Sequence, residues 1–260
     1  MPPLPLSVFL VTCNEEENLA RCLASLRGIA AEIIVVDSGS TDGTAAVAAQ
    51  YQAQWSHQDW RGFRDQKAAA LAKCSQPWVL GLDADEELSP ELHGEIISFF
   101  QSGAAEQFGA ASFPRKVLFL GRWITHGDWY PDRKLRLARR EGARCEGGPG
   151  HDTLVPPPEL PVLRMASDLH HYSFPNINRY IGKINLFSDA FLRQQLEAGR
   201  KWSCAATVFR PFWRFFRGYV LRRGFLDGFP GFWIAIATAF QAFVRYSRLY
   251  EHEASRQNQP

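Results

Sequence analysis

The sequence predicts an α/β protein whose mostly parallel sheet is flanked by helices. Two observations carry that expectation. Segments apolar at nearly every position, SVFLVT (7–12), EIIVVD (32–37) and WVLGLD (78–83), alternate with amphipathic helical segments over the first hundred residues. Each of the three also runs directly into a polar cluster, and in an open parallel sheet ligands bind outside the carboxyl ends of the strands.

Taken in order, Ser7–Thr12 is the first strand. The acids Glu15, Glu16 and Glu17 follow at once, with no basic leader or cleavage-like site before them, so this run reads as a strand and not as a signal peptide. Glu16–Leu26 sets Leu19, Cys22, Leu23 and Leu26 at helical spacing. Glu32–Asp37 is a second buried strand, and Thr41 and Asp42 read as caps of an Ala/Val helix running to Gln52. A short strand near Ala53–His57, a helix around Asp65–Lys73 and the strand Trp78–Asp83 come next. Ser89-Pro90-Glu91 supplies a cap, a proline at the first turn and an acid at the positive end of the dipole, opening a helix to Phe100. From Ala110 the pattern turns β-rich and looped, and helix returns over Asn178–Leu196.

A chain of 260 residues with 46% hydrophobic and 22% charged content buries a full core, and a net charge of +2 selects no class of partner. Five scattered cysteines without zinc spacing point to a reduced, intracellular protein. No G-x-G-x-x-G follows the first strand, which argues against a dinucleotide site.

After Trp202 the composition changes. FRPFWRFFRGYVLRRGFLDGFPGF (209–232) interleaves arginine with aromatics, and FWIAIATAFQAFV (232–244) is nearly uncharged. The apolar run is shorter than the roughly 18–20 residues a spanning helix needs. Arginine among bulky rings suits a membrane interface with anionic lipid, and the competing reading is a buried helix pair or a homo-oligomer contact. No RNA- or DNA-binding module accompanies the mix, so nucleic acid is not an expected partner. The expected organisation is a catalytic domain over 1–202, divided into halves 1–100 and 101–202, followed by a helical, amphipathic membrane-docking segment over 203–260.

The stretch LGLDADEE (80–87) crowds four acids into five positions, and such repulsion calls for a positive partner. D-x-D at a strand end puts Asp83 and Asp85 on one side of an extended chain. Two hard oxygen ligands facing a diphosphate hold Mg²⁺ or Mn²⁺, which neutralises a nucleoside diphosphate leaving group. On this reading both acids are metal ligands, Glu86 lines the acceptor side and Glu87 orients the loop or meets solvent. A haloacid-dehalogenase-type phosphatase also uses D-x-D after an apolar strand, but it needs a threonine where Glu87 stands. Intact Asp37, Asp83 and Asp85 argue against a non-catalytic binding protein or scaffold on the same fold.

VTCNEEENLARCLASL, EIIVVDSGSTDGT and PWVLGLDADEELSPEL together resemble the nucleotide-binding half of family 2 glycosyltransferases with the GT-A fold. HGDWYPD (126–132), LRL (135–137), GHD (150–152), LHHYSF (169–174) and GFLDG (224–228) resemble the bacterial members that add glucose to the inner core of lipopolysaccharide. The resemblance implies an inverting enzyme on the cytoplasmic face of the inner membrane, taking a UDP-sugar donor and a lipid-linked oligosaccharide acceptor. It implies that Thr12, Asn14, Glu15, Asp37, Ser38, Lys67, Asp83 and Ala84 bind the donor and that Asp85, with Asp83, holds the divalent metal. The base that deprotonates the acceptor is then Asp152, with Asp128 as second candidate. Two positions depart from the subgroup, Ala68 where asparagine often follows the lysine and Asp152 where a longer acid is usual. Arg133, Arg136, Arg139 and Arg140 are expected either to meet acceptor phosphates or to form a solvated face.

Overall fold

The structure, a computed structural model, describes residues 2–148, 151–174 and 176–257. Strand β1 (Leu6–Thr12) leads through α1 (Glu16–Ser25), β2 (Glu32–Asp37), α2 (Thr44–Gln50), β3 (Gln54–His57) and α3 (Phe63–Ala72) to β4 (Trp78–Asp83). A short β5 (Glu86–Leu88) precedes α4 (Pro90–Gln101) and α5 (Ala104–Gln107). Strands β6 (Ala110–Phe119), β7 (Arg122–Trp123), β8 (Asp132–Arg139), β9 (Arg144–Gly148), β10 (His151–Val155), β11 (Val162–Arg164) and β12 (Leu169–Phe174) follow. Helices α6 (Ile177–Glu197), α7 (Cys204–Phe216) and α8 (Gly228–Gln257) complete the chain. It divides into two compact units, Met1–Arg115 with Asp132–Tyr172, and Lys116–Pro131 with Ser173–Pro260.

In the first unit the strands run β3-β2-β1-β4-β8-β6-β12-β5, with β11 paired to β6. The first four strands are mutually parallel, and β8 joins β4 antiparallel. This is the helix-flanked GT-A arrangement, parallel through β3-β2-β1-β4 and antiparallel where β8 pairs with β4 and β6 and where β12 pairs with β5. The apolar runs have a simple cause, since both faces of the sheet are covered. Leu6, Val8 and Leu10 join one core with Leu19, Cys22 and Leu23 of α1 and Ile96 and Phe99 of α4. The alternate residues Phe9 and Val11 join the other, with Ala70 and Leu71 of α3. Gly81 interrupts β4 because the ring of Phe9 fills the place of its side chain, where a Cβ would lie 2.5 Å from Cζ. On α4, Ser89 caps Leu92 N–H and Pro90 opens the first turn, as expected. Helix α2 starts three residues later than expected. Thr41 and Asp42 remain in the preceding loop, where Asp42 Oδ1 accepts from Thr44 N–H at 3.0 Å.

The second unit packs Phe119, Ile124 and Ile234 with Trp129, Phe174 and Trp233. Tyr180 and Ile184 of α6 and Ala237 of α8 extend that cluster. Among the described residues no helix is long and apolar enough to cross a membrane. Helix α7 instead exposes Val208, Phe209, Phe212, Trp213 and Phe216, at the spacing of one helical face.

Candidate active site

The pairing of β1 with β2 and β4 sets Thr12 beside Asp37 and Val11 beside Asp83, so the three polar strand ends meet at one edge of the sheet. Asp37 is almost fully buried and shapes its own loop. Its Oδ2 accepts from the N–H groups of Gly39 and Ser40, both at 2.8 Å, and its Oδ1 from the Ser40 hydroxyl at 2.5 Å. Thr12 Oγ1 approaches the same carboxylate at 3.4 Å, and Ser38 N–H donates to Thr12 O. Asn14, in the left-handed region at a φ of 56°, receives Thr41 N–H on its side-chain oxygen and donates its own N–H to Ser40 Oγ. Glu15 N–H donates to Thr44 Oγ1, and Ser38 Oγ receives the side-chain amide of Gln66. The donor-binding candidates Thr12, Asn14, Glu15, Asp37 and Ser38 thus form one interlocked pair of loops.

The acidic turn is balanced differently from expectation, because the chain supplies its own cations. Lys67, buried on α3, places Nζ 2.5 Å from Asp83 Oδ1, and Arg136 of β8 places a guanidinium nitrogen 2.5 Å from Oδ2. Burial works against the charge of Asp83, but Arg136 and Lys67 outweigh it and hold the carboxyl well below the usual carboxylate range. Both oxygens of Asp83 are thus engaged by cations that the chain itself supplies. The reading of Glu86 is corrected. It does not line an acceptor surface but is buried, receiving Asp83 N–H at 3.0 Å and the guanidiniums of Arg136 at 2.6 Å and Arg115 at 3.1 Å. Arg115 in turn binds Asp132 at 2.6 Å. Glu87 orients the loop as expected, accepting the Tyr172 hydroxyl at 2.5 Å. Together with burial, that bond pushes the phenol up to about 12.

Asp85 turns the other way, beyond the buried Ala84, toward His171 of β12, whose Nε2 lies 3.3 Å from Oδ2. Burial opposes the charge of Asp85, and the hydrogen bond and charge of His171 prevail to hold it below its ordinary value. The other ring nitrogen, Nδ1, is buried without a hydrogen-bond partner. A carboxylate beside an imidazole is a donor set that fits a divalent cation whose shell is completed by substrate oxygens. Among the described residues no cluster of three or more protein ligands exists, so the protein alone does not complete such a shell. The partnership of His171 with Asp85 follows from the pairing of β12 with β5 and has no local signature in the sequence.

The four arginines expected either to meet acceptor phosphates or to form a solvated face each have partners within the chain. Arg136 sits in the buried network, and Arg133 caps Ser112 O and Met165 O. Arg139 caps Ala105 O and Phe108 O, and Arg140 caps Gln76 O. Each closes a backbone carbonyl or a buried charge within the first unit. Asp128 belongs to the second unit, where its nearly buried carboxylate is held by Arg217 at 2.8 Å, Arg222 at 3.2 Å and Arg214 at 3.8 Å. Asp152 lies on β10 opposite Gly147, and its side chain, like that of His151, is outside the described residues.

A family model described as Glycosyl transferase family 2 matches residues 7–155, which include every strand end described above. The chain is 34% identical over 263 residues to the lipopolysaccharide core biosynthesis glycosyltransferase LpsC of Rhizobium meliloti (strain 1021), covering 98% of this chain and 95% of that one. It is 30% identical to an uncharacterised glycosyltransferase of Rickettsia typhi, covering 97% and 89%. Among solved structures, mannosyl-3-phosphoglycerate synthase from Rubrobacter xylanophilus aligns with a TM-score of 0.49 at 17% identity, covering 77% of each chain.

Proposed function

The chain belongs to glycosyl transferase family 2, and from that premise we propose that it moves glucose from UDP-glucose to a lipid-linked acceptor of the lipopolysaccharide inner-core type. The observation that carries the proposal is the meeting of Thr12, Asp37 and Asp83 at one sheet edge, with Asp85 on the next turn. The acceptor class is supported by the near full-length likeness to a glycosyltransferase of lipopolysaccharide core biosynthesis.

In this reading the interlocked loops 12–15 and 37–41 form the wall for uridine and ribose. Lys67 and Arg136 fix Asp83 so that the following turn projects Asp85 toward the donor diphosphate. Asp85, with His171 beside it, would hold a divalent cation, Mg²⁺ or Mn²⁺, whose charge would offset that of the nucleoside diphosphate. Transfer inverts the anomeric centre in a single displacement. The acceptor hydroxyl attacks as Asp152 takes its proton, the bond to the diphosphate oxygen breaks, and UDP leaves with the electron pair. Asp128, enclosed by guanidiniums, holds them in place and is not the base.

In the same reading the enzyme is a peripheral protein of the cytoplasmic face of the inner membrane, docked through its second unit. Its α7 face carries Phe209 and Phe212, each 68% exposed, in a segment rich in arginine. Turnover of UDP-glucose by the purified protein, with divalent metal and an inner-core acceptor, tests the assignment. No binding or turnover of any nucleotide sugar would sink it. Flotation with anionic vesicles tests the membrane reading, and binding that survives deletion of the residues after Ser203 would remove that role from the tail.

A further inference from the structure

In the second unit one carboxylate collects three guanidiniums. Asp128 is 6% exposed, while Arg214, Arg217 and Arg222 around it are 43%, 30% and 48% exposed. Three cations against one anion leave an excess of two positive charges, and two carboxylate oxygens cannot use all the donors of three guanidinium forks. The excess is felt by Arg245, whose pKa is lowered by burial and then by the charge of Arg214. The local backbone builds the cluster. The helix loosens into a π-turn over Arg217–Leu221, a device that often marks functional sites. Gly218, inside it, gives Asp128 room to approach, since a Cβ there would lie 3.4 Å from Asp128 Cγ. Exposed Trp213, Phe216 and Leu221 stand beside the arginines in the chain.

We propose that Arg214, Arg217 and Arg222, gathered on Asp128, form a binding site for a phosphate monoester carried at the membrane surface. The inference rests on the membrane reading above and adds a ligand to it. A phosphate monoester carries close to two negative charges at neutral pH and presents three strong acceptor oxygens, matching the excess charge and the open forks. Arginine binds such oxygens in a bidentate manner that a point charge does not reproduce. The adjoining apolar side chains meet the acyl region while the phosphate meets the guanidiniums. A phosphodiester headgroup, with a single charge, is the poorer match.

Flotation with phosphatidylcholine vesicles doped with either phosphatidic acid or phosphatidylglycerol, matched in surface charge, tests this. The expected result is about tenfold tighter binding to the phosphatidic acid vesicles. The double variant Arg217→Gln/Arg222→Gln should bind both vesicles equally. Phe209→Ala/Phe212→Ala should weaken binding to both yet keep the preference. Equal binding by the unaltered protein overturns the site and leaves the membrane reading standing. Binding to neither vesicle overturns the membrane reading, and soluble dihexanoyl phosphatidic acid then decides the site. A shift in melting temperature that the Gln variant loses retains the site, and no shift removes it. Displacement from vesicles by an equal concentration of inorganic phosphate would overturn the assignment to a lipid-borne group. If the Gln variant melts early, Arg217→Lys/Arg222→Lys keeps the charge but not the forks and should lose the preference alone.

Discussion

Lys67 Nζ lies 2.5 Å from Asp83 Oδ1, so the first acid of the D-x-D turn is neutralised by a lysine on α3, the helix that directly precedes β4. Arg136 takes the other oxygen, and Glu86 receives the backbone N–H of Asp83 while binding Arg136 and Arg115. The crowded acids therefore do different work. Asp83 and Glu86 lock the turn to α3, β6 and β8, and Asp85 is left to face His171.

Replacing Lys67 with Met leaves Asp83 with one cation in a largely enclosed site. Breaking one partner of a buried pair strands the other charge, and with Arg136 still in place the loss should be about 2 kcal/mol, read from urea unfolding. Adding Asp83→Asn to Lys67→Met should restore part of that stability. A Lys67→Met protein as stable as the parent would show that the pair does not hold the turn.

Acid should destabilise the protein through carboxylates outside the donor site as well. Burial works against the charge of Asp132, but Arg115 and Lys134 hold it below its ordinary value. Burial likewise opposes Glu95, and the N–H groups of Ala166 and Ser167 lower it. Both groups have depressed folded values, so their stabilisation is present above the unfolded values of about 4 and fades as pH falls toward the folded ones. The urea midpoint should drop between about pH 4.5 and pH 3, and Asp132→Asn with Glu95→Gln should flatten that drop. An unchanged slope in the double variant would show that these acids do not carry it.

The first unit was legible as far as periodicity reaches. The runs 7–12, 32–37 and 78–83 are apolar throughout because both faces of the sheet are covered, and their polar ends had to meet once the strands were parallel. What pairs with each acid was not legible. Lys67, Arg136, Arg115 and His171 come from α3, β8, β6 and β12, and their meeting depends on antiparallel pairings with no local signature. Arg133, Arg139 and Arg140 read as phosphate contacts or a basic face because sequence carries charge but not direction, and in the fold they close backbone carbonyls nearby. The assignment of Lys116–Pro131 to the second unit is equally non-local, resting on contacts such as Asp227 to the Thr125 and His126 N–H groups.

Chelation should abolish transfer, and Mn²⁺ or Mg²⁺ should restore it. Asp85→Asn removes the proposed charged ligand, and the several kcal/mol a metal contributes to a charged transition state correspond to about a thousandfold loss of kcat. His171→Ala should be milder, raising the metal concentration needed for half-maximal activity by about 10–100-fold. Titrating metal against initial rate separates the two, since one variant loses the ceiling and the other shifts the midpoint. A His171→Ala enzyme with an unmoved midpoint would remove His171 from the metal site.

Gly231 should tolerate no side chain. At the start of α8 a Cβ there would lie 1.9 Å from Gly224 O and 3.0 Å from the Cβ of Asp227. Backbone cannot yield as a flexible side chain does, so the helix must move away from the 224–227 turn. That turn carries Asp227, fully buried, whose oxygens receive the N–H groups of Thr125 and His126 and the Thr125 hydroxyl. Opening it strands several buried donors, each costing about 1–3 kcal/mol. Gly231→Ala should therefore destabilise the second unit by about 3 kcal/mol or more, seen as early loss of hydrogen-exchange protection in α6 and α8. Nucleotide binding by the first unit serves as the internal control, because β1, β2 and β4 hold their core without any residue of α8. Uniform loss of protection in both units at once would mean that they unfold as a single cooperative body, and unchanged protection in α8 would mean that the turn accommodates the methyl group.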